Sequence, residues 1–226
     1  MDKFRRVEIK YLIDEDTYQL FKKEIDNYVK PDIYPNSVIC NIYFDNDDYE
    51  LINKSIEKPS YKEKVRLRSY NIPNKNSKVY LEIKKKYEGV VAKRRVGATL
   101  DKINKYLNEN IEIDKTLNFK EIDNVIKRHD LKPKIYVAYN REAYLGNNDN
   151  NLRITFDSNL RSRTLDLDLS LGDSGKLYFD KPMYIVEIKT LGSMPLYLVN
   201  ILNKLKIYPI SFSKVGSIYE RMMINV

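Results

Sequence analysis

The chain has 226 residues, which fits one large domain or two small ones. Its 40 basic and 32 acidic residues give a net charge of +8, which favours an anionic partner such as a nucleic acid, a phosphorylated molecule or a membrane surface. A single cysteine excludes an intramolecular disulfide, and a single histidine excludes a multi-histidine metal site within the chain. No apolar run reaches the ~18 residues of a membrane span and the first residues lack an apolar signal core, so we expect a cytoplasmic protein.

The first part of the chain is predicted to alternate between strands and helices. Polar and apolar residues alternate in strands, whereas apolar residues three or four apart indicate helices. Pro31, Pro35 and Asn36 are expected to break the chain after the first helix. The predicted elements are a strand over 5–13, a helix from Asp14 or Asp16 to about 28, a strand over 37–44, a short helix capped by residues 45–47 and ending at about 56, and strands over 61–70, 78–87 and 89–96, the last two joined at Glu88-Gly89.

The second part continues the same alternation. We predict two helices within 99–130, strands over 131–145, 152–157 and 183–190, a helix over 194–206 and a final short helix opened by Ser213. The segment 159–169 is ambiguous. No linker or low-complexity stretch divides the chain, so we expect one domain over residues 1–226.

Cations concentrate on one face of the three strands predicted between 61 and 96. Successive side chains of a strand point to opposite faces, so residues two apart share a face. This rule groups Lys62, Lys64, Arg66 and Arg68 of the first strand, Glu82, Lys84 and Lys86 of the second, and Lys93 and Arg95 of the third. The resulting surface is almost purely cationic, with one carboxylate set into it.

The tripeptide Glu-Ile-Lys occurs three times, and each copy lies in a predicted strand. The copies begin at Glu8, Glu82 and Glu187. In each copy the glutamate and lysine share a face while the isoleucine points away. One reading is an antiparallel sheet with a wet, charged face. Against it, the faces hold few threonines, serines or glutamines, and strands from distant parts of the chain share the pattern.

We therefore predict an α+β fold: an antiparallel eight-stranded β-barrel with a charged interior and helices packed outside. An eight-stranded barrel is wide enough for side chains or one small ligand. Inward-facing cations are tolerable only if carboxylates and a bound polyanion neutralise them. Because arginine forks match phosphate oxygens and lysines act as point charges, the lining suits a triphosphate or a longer phosphate chain.

Ordered motifs across nearly the whole chain resemble the VTC domain, the polyphosphate polymerase branch of the triphosphate tunnel metalloenzyme (CYTH-like) superfamily. Each motif is weak alone, but the ordered set is fairly specific. The motifs are Lys10-Tyr11, 65–70 (VRLRSY), 80–84 (YLEIK), 93–95 (KRR), 139–144 (YNREAY), 152–157 (LRITFD), 186–189 (VEIK) and 211–216 (SFSKVG).

The resemblance implies an enzyme that transfers the γ-phosphate of ATP to a growing polyphosphate chain inside a basic tunnel, with Mn²⁺ or Mg²⁺ as cofactor. Glu187 would be the chief metal ligand, with Glu8 and Glu82 as further candidates. The implied catalytic residues are Arg66, Arg68, Arg141 and Arg153. The implied phosphate-binding residues are Lys10, Lys84, Lys93, Arg95, Lys189 and Lys214, of which Arg95 and Lys189 match by strand face more than by motif.

One departure concerns the first strand. Hydrolytic tunnel enzymes show Glu-x-Glu-x-Lys there, but Arg6 replaces the first glutamate in this sequence. The loss of a metal-binding carboxylate favours a polymerase over a hydrolase. Eukaryotic relatives also carry fused membrane domains that are absent from this sequence, so coupling to transport would need a separate membrane partner, which would place the chain at the membrane face.

Three alternatives stay open. A non-catalytic polyphosphate or inositol-polyphosphate binding module would keep the basic lining without needing a metal carboxylate. A triphosphatase or cyclase-like enzyme of the same fold would need more acidic pairs. A nucleic-acid binder fits the net charge, but no recognition motif appears, so nucleic acid is not expected as a partner.

Overall fold

The computed structural model describes residues 6–57, 59–88 and 90–224. The side chain of Arg6 and the predicted turn residue Gly89 lie outside this description. Within it the strands are β1 (Arg6–Asp14), β2 (Val29–Asp45), β3 (Tyr61–Tyr70), β4 (Lys78–Tyr87), β5 (Val90–Thr99), β6 (Lys132–Gly146), β7 (Arg153–Arg163), β8 (Lys176–Leu177) and β9 (Met183–Leu191). The α-helices are α1 (Glu15–Ile25), α2 (Glu50–Glu57), α3 (Leu100–Glu109), α4 (Leu117–Arg128), α5 (Leu196–Lys204) and α6 (Lys214–Ile224).

The strands form one sheet, in which hydrogen-bonded neighbours follow the order β1-β9-β7-β6-β2-β3-β4-β5 and the two-residue β8 pairs with β7. The β1–β9, β7–β9, β2–β3, β3–β4 and β4–β5 ladders are antiparallel. The predicted α+β class and antiparallel sheet of eight consecutive neighbours are confirmed. The path of paired strands is open, with β1 and β5 at its ends, instead of a closed ring of pairs.

Internal contacts divide the described residues into two compact units. The first unit contains 6–37, 139–160 and 177–212, and the second contains 38–138, 161–176 and 213–224. Each unit draws on three separate stretches of sequence, and β2, β6 and β7 have residues in both. The single domain over 1–226 stays a prediction. Within the described ranges, no helix is long and apolar enough to cross a membrane.

In the first unit, helices α1 and α5 cover the apolar face of β1, β7 and β9. Asp14 caps α1 by accepting a hydrogen bond from the Thr17 amide at 3.0 Å, as its position before the helix predicts. The α1 side chains at helical spacing pack on alternate strand residues because both sets are apolar. This core contains Tyr18, Phe21 and Ile25 of α1, Leu198, Ile201 and Leu202 of α5, and Tyr11, Ile13, Ile154, Phe156, Val186 and Ile188 of the strands.

In the second unit, residues 38–45 of β2 join β3, β4 and β5, and helices α2, α3 and α4 contribute to the core. Thr99 and Thr116 cap α3 and α4 with their side-chain oxygens. The core contains Ile42, Phe44, Val65, Leu67, Leu81, Ile83 and Val96 of the strands, and Leu51, Ile103, Tyr106, Phe119, Ile122 and Val125 of the helices. The other face of the same strands is therefore left for the charged residues that alternate with these apolar ones.

The predicted break at Pro31, Pro35 and Asn36 is wrong, because β2 runs through all three residues. Proline fixes φ near −65°, which an extended backbone accommodates, and its missing N–H matters only where a ladder needs a donor. Most side chains over 30–36 are exposed, so this part of β2 also lacks the apolar alternation that would have indicated a strand.

Candidate functional site

Cross-strand register in the second unit aligns cations from three strands. Lys64 of β3 lies opposite Lys84 of β4, which lies opposite Lys93 of β5. The next row along the same face is Arg66, Glu82 and Arg95. The predicted common face is confirmed by this register. Lys84 and Arg95 are exposed, whereas Glu82 is 1% exposed.

Glu82 is held by two cations. Arg66 Nε and Nη2 contact Glu82 Oε2 at 2.9 and 2.8 Å, and Lys93 Nζ contacts Glu82 Oε1 at 2.5 Å. Burial raises the pKa of Glu82, but the charges of Arg66, Arg68 and Lys93 outweigh burial and lower the pKa to about 2. Both carboxylate oxygens are thus engaged by cations, so the residue works as a counter-charge that aligns its neighbours.

The cations around Glu82 exceed what one carboxylate neutralises. Burial and repulsion from Arg66 and Arg68 lower the pKa of Lys93 although Glu82 raises it. Tyr43 of β2, opposite Arg66, accepts a hydrogen bond from Arg66 Nη1 at 3.3 Å. Burial raises the pKa of Tyr43, but Arg66, Arg68 and Lys64 lower it to about 8. We call Tyr43, Arg66, Arg68, Glu82 and Lys93 the Glu82 cluster.

A buried amide fixes the second arginine of this cluster. Arg68 is 7% exposed, and its Nε donates to Asn41 Oδ1 at 2.8 Å. Asn41 is fully buried and in turn donates to the Val137 carbonyl at 3.0 Å. The sequence interpretation missed Asn41 and Tyr43. The sequence gives one weak indication of their role. Both carry polar groups within the apolar strand predicted over 37–44, and because they are two residues apart they share a face.

The start of α6 adjoins the cationic row of β3. Lys64 Nζ donates to Ser213 Oγ at 2.8 Å, and the same oxygen accepts the Gly216 amide at 3.2 Å. Ser213 therefore opens α6 as predicted. Lys214, the first residue of the helix, is 8% exposed. Its predicted phosphate contact stays a prediction.

Two copies of the Glu-Ile-Lys tripeptide pair with each other in the first unit. The antiparallel register sets Glu8 opposite Lys189 and Lys10 opposite Glu187. Lys10 Nζ lies 3.7 Å from both Glu8 Oε1 and Glu187 Oε1. Lys189 Nζ lies 3.5 Å from Glu8 Oε2 and 3.9 Å from Glu187 Oε2. Opposite charges therefore alternate along and across β1 and β9, and Lys10 also donates to the Phe212 carbonyl at 3.1 Å.

Arg141 connects this charge pattern to a buried aspartate. Its Nε and Nη2 donate to the two Asp157 oxygens at 2.6 and 2.7 Å, and Nη2 lies 3.7 Å from Glu187 Oε2. Burial lowers the pKa of Arg141, but Asp157 and Glu187 raise it well above its ordinary value. The sequence interpretation did not assign Asp157, although it shares a face with Arg153. We call Glu8, Lys10, Arg141, Asp157, Glu187 and Lys189 the Glu187 cluster.

Arg153 lies opposite Lys189 in the β7–β9 ladder and pairs with a carboxylate of β2. Its Nε donates to Asp32 Oδ2 at 2.9 Å, and its side chain is 35% exposed. Asp32 belongs to the part of β2 that the sequence interpretation missed, so this pairing could not be anticipated. A catalytic role for Arg153 stays a prediction.

The carboxylates fit a metal carried by phosphate groups better than a metal in a protein cage. No group of three or more His, Cys, Asp or Glu side chains among the described residues is arranged to hold a metal. Glu187 is 7% exposed, and Lys10, Arg141 and Lys189 place nitrogens 3.7–3.9 Å from its carboxylate oxygens. Mg²⁺ commonly binds through one or two protein carboxylates together with substrate phosphates. Glu187, with Glu8 nearby, would supply carboxylates of this kind.

The sequence-predicted site residues thus fall into both units. The first unit contains Glu8, Lys10, Arg141, Arg153, Glu187 and Lys189. The second unit contains Arg66, Arg68, Glu82, Lys84, Lys93, Arg95 and Lys214. Apart from Lys214, which begins α6, these side chains come from strands whose alternate residues build the apolar core.

Comparison with known families decides the relationship. The family model described as the VTC domain matches residues 5–222. The chain belongs to the VTC domain family. Vacuolar transporter chaperone complex subunit 4 of Trypanosoma cruzi is 28% identical over 189 residues, which is 68% of this chain and 23% of that protein. The Schizosaccharomyces pombe subunit 4 is 27% identical over 149 residues, 55% of this chain and 20% of that protein.

The chain therefore spans about a quarter or less of the length of these curated relatives.

Solved structures of distant proteins share the fold of this VTC domain. A crystal structure of a putative adenylate cyclase from Bacillus halodurans has a TM-score of 0.57 and 14% identity, covering 94% of this chain and 96% of that one. A Hippeastrum putative adenylyl cyclase with a dominant triphosphatase activity has a TM-score of 0.55 and 14% identity, covering 94% of both chains. These likenesses establish the triphosphate tunnel fold.

Proposed function

We propose that this VTC domain is a metal-dependent phosphotransferase that transfers the γ-phosphate of ATP to a growing inorganic polyphosphate chain. The observation that carries the proposal is the cation excess of the Glu82 cluster. Arg66 and Lys93 share the one buried carboxylate of Glu82, and the charges of Arg66, Arg68 and Lys64 outweigh burial and lower the pKa of Tyr43 to about 8, so the field at this hydroxyl is positive. A bound polyanion would neutralise it, and membership of the VTC family and the triphosphate tunnel fold support phosphate chains as that polyanion.

Phosphoryl transfer depends on positioning of the reactants and stabilisation of charge more than on covalent catalysis. Arg66 and Arg68 would hold the oxygens of the transferring phosphoryl group, because guanidinium forks match phosphate geometry. Lys64, Lys84 and Lys93 would bind neighbouring phosphates as point charges. In the transfer, an oxygen of the ionised chain terminus forms a bond to the γ-phosphorus, the bond to the β–γ bridging oxygen breaks, and ADP leaves with that electron pair.

The Glu187 cluster would serve the same substrate class through a divalent ion. We propose that Glu187, with Glu8 as a second candidate, holds Mn²⁺ or Mg²⁺ on substrate phosphates, where the ion would supply further positive charge. Lys10 and Lys189 each form ion pairs with both carboxylates. Arg141, held in place by Asp157, would bind phosphate. Arg153 would also bind phosphate, with a smaller contribution.

A membrane partner is part of the proposal. The curated relatives are named as subunits of a vacuolar transporter chaperone complex. We propose that a separate membrane protein couples the polymer made here to transport, which would place the domain at the membrane face.

The proposal is tested by incubating the protein with ATP and Mn²⁺, then separating the products on a gel that resolves polyphosphate while assaying orthophosphate release. Polymer should form with the unaltered chain and be lost in Arg66→Ala/Arg68→Ala. Arg94→Ala is the matched control, because Arg94 is an exposed β5 arginine on the opposite face. Orthophosphate without polymer would indicate a triphosphatase, and tight polyphosphate binding without either product would indicate a binding module.

A further inference from the structure

Two tyrosines continue the charged face of the second unit beyond the arginines. Tyr80 of β4 lies directly opposite Arg68 of β3, and Tyr70 follows Arg68 by two residues and so shares its face. The Tyr70 and Tyr80 rings meet edge to face, with centroids 5.9 Å apart. The family motifs and the phosphate chemistry leave both rings unexplained.

The backbone of β5 makes room for this arrangement. Tyr80 lies opposite Gly97. A Cβ placed at Gly97 would lie 3.1 Å from the Tyr80 ring and 2.9 Å from Lys78 Cε. The absence of a side chain at Gly97 therefore lets the Tyr80 ring and the Lys78 stem lie across β5. Arg95 then places its guanidinium 4.8 Å from the centre of the Tyr80 ring, and Lys78 Nζ lies 5.9 Å from the same centre.

The group is accessible to a ligand. Tyr70 is 47% exposed, and Arg95 is also exposed. The exposed Tyr70 ring contacts the Tyr80 ring, which in turn lies beside the Arg95 guanidinium and opposite the buried phosphate-binding candidate Arg68. Flat aromatic and guanidinium surfaces next to a cationic groove are what a nucleobase with an attached phosphate chain requires.

We propose that Tyr70, Tyr80 and Arg95 form a stacking platform for the base of the nucleoside triphosphate. The triphosphate would extend from this platform onto Arg68 and Arg66. Arg68 lies directly opposite Tyr80, and Arg66 lies in the same row as Glu82 and Arg95, so the phosphates would lie beside the base, on the arginines of β3. This inference rests on the proposed function for its substrate and adds the site that recognises the nucleoside part.

The test compares ATP with inorganic tripolyphosphate, which lacks a base, by calorimetric titration. Tyr70→Ala should weaken ATP binding about tenfold, the usual effect of losing one stacking ring, and leave tripolyphosphate binding unchanged. Tyr70→Phe keeps the ring and should bind ATP like the unaltered chain. Tyr87→Ala is the matched control, because Tyr87 is 56% exposed and lies at the end of β4 on the opposite face.

Tyr80→Leu keeps apolar volume against Gly97 and should give the same selective loss. If Tyr80→Leu does not fold, the Tyr70 variants still decide the question. Equal losses for ATP and tripolyphosphate, or unchanged ATP binding in Tyr70→Ala, would overturn the platform, as would an unaltered chain that binds neither compound. If Tyr70→Ala selectively loses ATP binding while the unaltered chain makes no polymer, the platform is sustained and the polymerase proposal is overturned. If the unaltered chain makes polymer while Tyr70→Ala binds ATP normally, the polymerase proposal is sustained and the platform is overturned.

Discussion

Arg66 contacts the buried carboxylate of Glu82 through two guanidinium nitrogens, which lie 2.9 and 2.8 Å from the same Glu82 oxygen. Because Glu82 is 1% exposed, it cannot exchange this partner for water. Arg66, in contrast, retains 20% side-chain exposure. The carboxylate is thus a fixed internal counter-charge, and the arginine is positioned by it while still accessible to a ligand.

Glu82→Gln should destabilise the fold. The change removes the buried negative charge and leaves Arg66 and Lys93 uncompensated, which we expect to lower the free energy of unfolding by about 2–4 kcal/mol. Urea denaturation at neutral pH measures the loss. Glu121→Gln is the control, because the Glu121 pair with Lys85 is partly exposed and should contribute under about 1 kcal/mol. Equal effects of the two substitutions would contradict the counter-charge role of Glu82.

The same carboxylate should make stability depend on pH in the acid range. The pKa of Glu82 is lowered from 4.5 to about 2 in the folded chain. Its stabilisation is therefore complete above about pH 4.5 and is lost as the pH falls towards about 2, amounting to roughly 3 kcal/mol in total. The urea midpoints of the unaltered chain and Glu82→Gln should approach each other as the pH falls from about 5 and should converge near about pH 2. A constant difference across this range would show that Glu82 does not titrate in this way.

The pKa of Tyr43 should respond to the electrostatic field of the Glu82 cluster. Its pKa of about 8 depends on Arg66, Arg68 and Lys64. Bound phosphates would neutralise these cations, so saturating inorganic tripolyphosphate should raise the Tyr43 pKa by about one unit or more. Ultraviolet titration of tyrosinate, with Tyr43→Phe subtracting the other tyrosines, gives the value. A Tyr43 titration that tripolyphosphate leaves in place would mean that phosphate binds elsewhere.

Glu187→Gln should act on metal dependence. Removing one metal-binding carboxylate should weaken Mn²⁺ retention in the presence of tripolyphosphate and lower ATP-dependent synthesis by about a hundredfold. Paramagnetic resonance measures bound Mn²⁺ independently of activity. Glu142→Gln is a suitable comparison, because Glu142 pairs with Lys22 and Tyr18 on the helix side of the same unit. Unchanged Mn²⁺ binding in Glu187→Gln would remove this residue from the metal site.

Local pattern was sufficient for the elements that carry the site. The bounds of β3 and β4 agree with prediction at both ends, because charged and apolar residues alternate over 64–68 and 81–84. The same alternation placed Arg66, Arg68, Glu82 and Lys93 on one face. Nothing in local pattern specifies register between distant strands, so it could not show that Glu8 would lie opposite Lys189.

Buried partners were the part that local pattern missed. Asn41 reaches Arg68 across 27 positions of sequence, and Asp32 reaches Arg153 across 121. Their strand, β2, was also interpreted too short because of its prolines. Asp157 was visible as a charged residue on the face of Arg153, but its bidentate pairing with Arg141 depends on the fold. The phosphate and metal contacts of all these residues remain predictions.

The central claim is tested most directly with ATP labelled at the γ-phosphate. The account predicts that the label enters polyphosphate, that one ADP forms for each phosphate incorporated, and that Arg66→Ala/Arg68→Ala abolishes both while Arg94→Ala does not. Label released only as orthophosphate, or polymer formed equally well by the Arg66→Ala/Arg68→Ala chain, would contradict it.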